Sequence, residues 1–256
     1  MLGAIVGDII GSRFEFNNTD NYHFKLFNQE STFTDDTICT IAIADAINTG
    51  TDYREKLLEW CRAYPNPKGA YGGSFSRWLA SPNPRPYNSF GNGSAMRVSP
   101  VAWAFDDLDK VLDEAEKTAL PTHNHPEGVK GAVAIAHAIY HLRHNKDIGS
   151  FIKVMNGYYP MFENGDYYAG VFDETCQGTV PVCLKIMTAS ISFEDAIRRA
   201  ISWGGDSDTI GAIVGSMAEA RWGIPKEIHV ELFDRLPDAM VNVISEFNKR
   251  IYRSHE

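Results

Sequence analysis

The sequence predicts an all-α fold: a compact single domain of many helices spanning residues 1–256. Three observations carry that prediction. Apolar residues recur at steps of three and four along most of the chain, which gives each segment one apolar stripe when it winds into a helix. Period-two runs, the mark of half-buried strands, are nearly absent. The stretches between the helical segments are rich in Gly, Pro and Asn yet carry aromatic residues, so they read as structured loops within one domain and not as linkers.

Taken in order, the chain opens with "MLGAIVGDIIGSRFEF". Gly3, Gly7 and Gly11 fall four apart, a spacing that lets a second helix approach closely. Asp8 and Glu15 are seven apart and share one side if the helix persists that far. The run lacks a basic start and a long apolar stretch, so it does not read as a signal peptide. "FTDDTICTIAIADAI" (33–47) places Thr34, Asp35, Asp36 and Thr37 at the mouth of an apolar helix. Residues 52–64 form an amphipathic helix. In 127–146 the stripe is Val129, Ala132, Val133, Ala136, Ile139 and Tyr140. In 192–202 a helix opens on Ser192 and Asp195, an S-x-x-D cap signature. "SWGGDSDTIGAIVGSMAEARWG" (202–223) repeats the acidic mouth with Asp206, Ser207, Asp208 and Thr209. The segment 225–252 reads as two helices meeting near Pro237. Loops are expected at 64–78, 80–97, 120–128 and 161–178, and loops of that length inside a domain are usually functional.

Composition narrows the function. A net charge of −9 argues against non-specific nucleic-acid binding, which needs a basic surface. No stretch approaches about 18 uncharged apolar residues, so no membrane span is expected. Cys39, Cys61, Cys176 and Cys183 show no C-x-x-C pair and no zinc spacing with histidine, and read as buried free thiols. Those thiols suit a reducing, cytoplasmic setting.

The two acidic mouths admit two readings. Ser, Thr and Asp cap helices, and acids at a helix start complement its dipole. A cap needs one acceptor, however, and each mouth offers several. Clustered carboxylates raise one another's pKa unless a cation is present. The ligand atoms are all oxygen, which suits Mg²⁺, Mn²⁺ or Ca²⁺ better than zinc. EF-hand spacing is missing. "SFGNGSAMR" (89–97) sets Gly91, Asn92, Gly93 and Ser94 before a helix starting near Ala95. Backbone N–H groups there can bind phosphate, or the segment is a plain turn. Arg97 can brace that loop or touch a phosphate. In "THNHPEG" (122–128), His123 and His125 can ligate metal, cap a backbone group or pair with a carboxylate; a neutral histidine beside phosphate would act as a donor.

In order, the motifs are G-D-x-x-G-x-x-x-E, T-D-D-T, G-N-G-S-A-M-R, T-H-x-H-P and G-G-D-S-D-T-I-G. Together they resemble the ADP-ribosylglycohydrolase family, whose bacterial members include the dinitrogenase reductase-activating glycohydrolases. The resemblance runs from residue 1 to about residue 223, and the last motif is its most specific part. It implies an all-helical fold with two divalent cations, Mg²⁺ or Mn²⁺. It implies Thr34, Asp35 and Asp36 as metal ligands from one side and Asp206, Asp208 and Thr209 from the other. By the same resemblance Glu15 lies near the metals, Gly91, Asn92, Gly93, Ser94 and Ala95 hold a diphosphate, and His123 lies near the ribose and phosphate.

The implied activity is release of ADP-ribose from an ADP-ribosylated protein, through arginine or serine, or from a small-molecule ADP-ribose conjugate. Glu15 is the first candidate for moving a proton and Asp36 the second. Tyr71, Phe75, Trp78, Tyr87, Tyr167, Tyr168 and Phe172 can stack on adenine, shape the acceptor side or simply pack. A metal-dependent phosphoesterase or pyrophosphatase, and a non-catalytic ADP-ribose-binding module, are the competing readings; the second would show broken ligand motifs, and here every expected Asp and Thr is present.

Overall fold

The first helix and a helix about 200 residues further along the chain meet at backbone distance, and theirs is the most extensive contact between any two helices among the described residues. The computed structural model describes residues 1–253. Its helices are α1 (Leu2–Gly11), α2 (Asp35–Thr49), α3 (Tyr53–Ala63), α4 (Gly73–Ala80), α5 (Gly93–Met96), α6 (Ser99–Ala104) and α7 (Leu108–Ala119). There follow α8 (Pro126–His144), α9 (Ile148–Met155), α10 (Cys176–Ala189), α11 (Phe193–Trp203), α12 (Ser207–Trp222), α13 (Lys226–Phe233) and α14 (Asp238–Arg253), with one 3₁₀ turn at Phe162–Asn164. The all-α prediction holds: among the described residues the only β-type pairings are isolated bridges, Thr34 with Lys68 and Gly91 with Thr175. Among the described residues no helix is long and apolar enough to cross a membrane.

α1 is apolar nearly all round, and all ten of its residues are buried, as a helix without a polar face must be. Its glycines form the contact with α12. Gly3 faces Gly215 and Gly7 faces Gly211, so closely that a Cβ added at Gly7 would lie 1.9 Å from the Gly211 carbonyl oxygen. α11, α10 and α8 pack round α12, and α2 packs on α1, α3 and α14. One hydrophobic cluster runs through all of these, from Ile5 and Ile9 through Ile41 and Ile135 to Ile213 and Phe247.

Local signals in the sequence largely hold. Asp52 caps α3 by accepting from Arg54 and Glu55 N–H. Ser192 accepts from Asp195 N–H, 3.1 Å, to cap α11. α13 and α14 meet at Pro237 as expected. All four cysteines are free and buried. Three expectations need correction. α1 stops at Gly11, with Ser12 as its C-cap, so Glu15 lies in the turn beyond and not on the helix with Asp8. The span 64–78 contains the start of α4, where Phe75 and Trp78 bury themselves against the core. The buried face of α8 is wider than the stripe named from periodicity: Ile135, Ala138 and Leu142 are buried with Ala132, Ala136 and Ile139, while Val129, Val133 and Tyr140 are only partly covered. The cause is that α7, α12, α5, α6 and α10 grip α8 from several directions.

Candidate functional site

The acids at the two helix mouths do not act as the caps. At α2 the cap is Thr34, whose Oγ1 accepts from Asp36 N–H at 3.2 Å. The dipole of α2 is met by Asp8, reaching across from α1. The Asp8 carboxylate accepts from Thr34 N–H (3.0 Å), Thr34 Oγ1–H (2.7 Å), Thr37 N–H (3.1 Å) and the Thr37 hydroxyl. Asp35 and Asp36 are thereby left over. At α12, Asp206 stands at the N-cap position but makes no side-chain cap bond; it accepts instead from Asn92 Nδ2 at 2.6 Å. That bond ties the glycine loop to the second mouth. Ahead of α12, Gly204 and Gly205 both take φ near +77°, the left-handed region that disfavours a side chain. The Asn18 amide holds this turn, accepting from Gly205 N–H at 2.7 Å and donating to the Gly205 carbonyl at 2.9 Å.

The leftover acids meet in two overlapping groups. Oxygens of Asp8, Asp36 and Asp208 lie within 4.8 Å of one another, and so do those of Glu15, Asp206 and Asp208. Asp208 belongs to both. Thr209 Oγ1 donates to Asp36 Oδ2 at 3.2 Å across the junction of the two helices. Asp35 lines the same cavity beside the two groups. Thr34 is buried behind them, its hydroxyl engaged with Asp8.

Electrostatics at this cluster are unfavourable without a cation. Burial, then the neighbouring Asp8, Asp35 and Asp206 charges, push the Asp36 carboxyl well above the usual range. Asp208 is raised in the same way by burial and then by Asp206 and Asp36. Burial and the charges of Asp206 and Asp8 bring Glu15 to about 7. Asp36 Oδ1, Asp208 Oδ1 and Glu15 Oε2 are buried and have no hydrogen-bond partner among the described residues. Buried acceptors of that kind need a donor or a positive charge. Neither group contains histidine or cysteine. An all-oxygen, multi-carboxylate set fits a hard divalent cation.

The cleft beyond the acids has a volume of about 250 Å³. Besides the carboxylates it is lined by Gly91, Asn92, Gly93, Arg97 and His123, and by residues 70 and 72–75 with Tyr87. Within the loop, Gly91 N–H donates to Ser89 Oγ, Asn92 N–H to the Glu174 carbonyl and Ala95 N–H to the Asn92 carbonyl. Of the loop, Gly91, Asn92 and Gly93 line the cleft, and with the first two amides engaged an anion there would meet the amide of Gly93. The Ser94 hydroxyl points away, donating to the Gly128 carbonyl at 2.6 Å. The two histidines separate. His125 caps α8, its Nδ1 accepting from Glu127 N–H at 3.1 Å. His123 is buried against the glycine loop, and burial followed by Arg97 holds it well below its usual pKa, so it is neutral. Of the aromatic residues, Tyr71 and Trp78 pack in the core, Phe75 and Tyr87 line the cleft, and Tyr168 and Phe172 are exposed.

Two groups at the site, Glu174 and Asn18, were not singled out from sequence, and Thr37, named at the first acidic mouth, takes a role that the sequence did not indicate. Glu174 lines the cleft. Thr37 anchors Asp8. Asn18 carries no signal beyond being a turn former, and its bonds run to residues nearly 190 positions away.

The family model described as ADP-ribosylglycohydrolase matches residues 1–256. An ADP-ribosylarginine hydrolase of Serratia proteamaculans is 23% identical over 268 residues, covering 88% of this chain and 72% of that protein. An ADP-ribosyl-[dinitrogen reductase] glycohydrolase of Rhodospirillum rubrum is 25% identical, covering 87% and 84%. A solved ADP-ribosylglycohydrolase-related protein complex superposes with a TM-score of 0.74 at 21% identity, covering 98% of this chain and 95% of that one; it supports the fold.

Proposed function

Because the chain belongs to the ADP-ribosylglycohydrolase family, we propose that it hydrolyses the bond between ADP-ribose and an acceptor, using two divalent cations, Mg²⁺ or Mn²⁺. The observation that carries this reading is the pair of carboxylate groups sharing Asp208, set in one cleft with a glycine loop and a neutral histidine. Asp36, Asp206, Asp208 and Thr209 would hold the cations, with Asp35 beside them and with Asp8 and Thr34 fixing the α2 side. Cations bound there would supply Lewis-acid charge to ribose hydroxyls and lower the pKa of a water. The Gly93 amide and the His123 ring, which line the cleft, would bind the diphosphate, with Ser94 and Ala95 buried behind them.

Glu15 is the group assigned to accept the proton of the attacking water. It is half-buried, shares the second carboxylate group, and has a pKa raised towards neutrality, as a general base requires. Asp36 ranks below it because its Oδ2 already accepts from Thr209 and lies 3.5 Å from Thr34 Oγ1. Cleavage of a glycosidic bond passes through an oxocarbenium-like state. A guanidinium leaving group needs less protonation than an alkoxide, so ADP-ribosyl-arginine suits this site, and the name of the Serratia proteamaculans relative points the same way. An arginine-modified protein is the proposed substrate.

The test measures ADP-ribose release from ADP-ribosyl-arginine and ADP-ribosyl-serine proteins with Mg²⁺, Mn²⁺ or EDTA, alongside Asp36→Ala and Asp208→Ala. Metal-dependent release from the arginine substrate, lost in both variants, is expected. Tight ADP-ribose binding without release would make this a binding module. Release of AMP would make it a phosphoesterase.

A further inference from the structure

One buried cation at the cleft has no role in the reading above. Arg97 follows α5 and is 1% exposed. Its Nη2 donates to the Thr118 carbonyl (2.8 Å) and to Thr122 Oγ1 (2.9 Å). Thr122 is fully buried, and its Oγ1 lies 2.7 Å from His123 Nδ1. The far side of the ring faces the glycine loop: a Cβ placed on Gly93 would be 3.2 Å from His123 Nε2.

The proton positions in this chain are constrained. A guanidinium donates and never accepts, so the direction of the Arg97–Thr122 bond is fixed. The Thr122 hydroxyl, with its oxygen turned to Arg97, has one hydrogen to place, and His123 Nδ1 is the acceptor beside it. Were Nδ1 protonated instead, two donors would converge on Oγ1 and the buried hydroxyl hydrogen would lose that acceptor. The penalty for such an unmade bond biases the ratio of forms by roughly five- to a hundredfold. A neutral ring that accepts at Nδ1 carries its hydrogen on Nε2.

We propose that Arg97 and Thr122 are positioning residues that lock His123 in its Nε2–H tautomer, so that the ring offers one fixed donor to a phosphate oxygen at the Gly91–Gly93 loop. The ligand in this statement rests on the function proposed above; the tautomer does not.

The test is nitrogen-detected NMR of ¹⁵N-histidine-labelled full-length protein at pH 7. The expected signature for His123 is a pyridine-type Nδ1 and a pyrrole-type Nε2. Thr122→Val should give a mixture of tautomers, and Thr122→Ser should restore the single form. ADP-ribose affinity should fall about twofold in Thr122→Val, in step with the fraction of competent ring. A pyrrole-type Nδ1 or an imidazolium in the wild-type protein would overturn the proposal, as would an unmixed Nε2–H tautomer in Thr122→Val. If that variant does not fold, Thr122→Ala, which also removes the hydroxyl, is read in the same way, and a single Nε2–H form there would overturn the proposal. A locked Nε2–H ring in a protein that does not bind ADP-ribose would uphold the relay and count against the function.

Discussion

Gly7→Ala is expected to damage the acidic cleft through the helix contact that builds it. The new methyl carbon would sit 1.9 Å from the Gly211 carbonyl oxygen and 2.2 Å from its carbon, where ordinary contact begins at 3.4 Å. No side chain can swing aside, because both obstacles are backbone. The helices must part locally by about 1.5 Å, a case of overpacking that costs up to about 3 kcal/mol. The gain in helix propensity from glycine to alanine returns about 1 kcal/mol, leaving a net loss near 2 kcal/mol. For a chain of this size that lowers Tm by roughly 4–8 °C. The larger effect falls on the cleft. Asp8 rides on α1 and Asp208 on α12, and their oxygens now lie within 4.8 Å of each other. A misplacement of about 1 Å in such a site can cost about a hundredfold in activity, and a loss of that order is expected in Mn²⁺ affinity. Calorimetric Mn²⁺ titration and thermal melting measure both quantities. Gly149→Ala is the control, since Gly149 lies on α9, does not line the cleft, and an added Cβ there meets nothing nearer than 3.4 Å. A Gly7→Ala protein that melts and binds Mn²⁺ like the wild type would refute the argument that this contact sets the cleft.

Other expectations concern the charges themselves. Asp208→Asn should abolish both cation sites, because Asp208 is common to the two carboxylate groups, whereas Asp206→Asn should leave one; equal Mn²⁺ stoichiometry in the two variants would contradict the overlap. In EDTA the same Asp208→Asn protein should melt above the wild type, since one of several mutually repelling buried carboxylates is gone. The metal-free wild type should also gain stability on acidification. Glu15 is raised from 4.5 to about 7 in the fold, so the folded state binds more protons across that window. The stabilisation is full below about 4.5 and is lost as pH rises through 7. Melting in EDTA between pH 7.5 and 4.5 should follow that slope, and saturating Mg²⁺ should flatten or reverse it; a flat EDTA profile would show that Glu15 does not sit in the raised state.

Legibility in the sequence divided along physical lines. Helices with their own caps and stripes, such as α3, α11 and the α13–α14 pair, were readable because the determining residues lie within one or two turns of each other. The four-residue glycine spacing foretold a close helix partner but could not say which helix. The acidic mouths were readable as a surplus of acceptors, and the structure explains the surplus: Thr34 and Asp8 meet the needs of α2, and Asp206 turns to Asn92. What could not be read was long-range. Nothing local tells that α1 ends at Gly11 while Glu15 still reaches the carboxylates, that Asn18 clasps the turn before Asp206, or that Arg97 reaches His123 through Thr122. The start of α4 was hidden by flanking glycines and prolines, and its helix is secured by burying Phe75 and Trp78, a tertiary effect that overrides local propensity.

The union of α1 with α12 also bears on how the molecule comes into being. Gly7 and Gly211 are separated by about 200 residues, and contacts of such separation form late because the intervening chain must be gathered first. Most of the helical scaffold can assemble while the first acidic mouth still waits for its counterpart. A cation has no complete cage to enter until that final closure, so it would select the finished fold and shift the balance towards it by mass action. On withdrawal of the ion, the first turns of α2 and α12 lose the charge that offsets their carboxylates, and amide exchange there, not along the fully buried α1, would report the opening first.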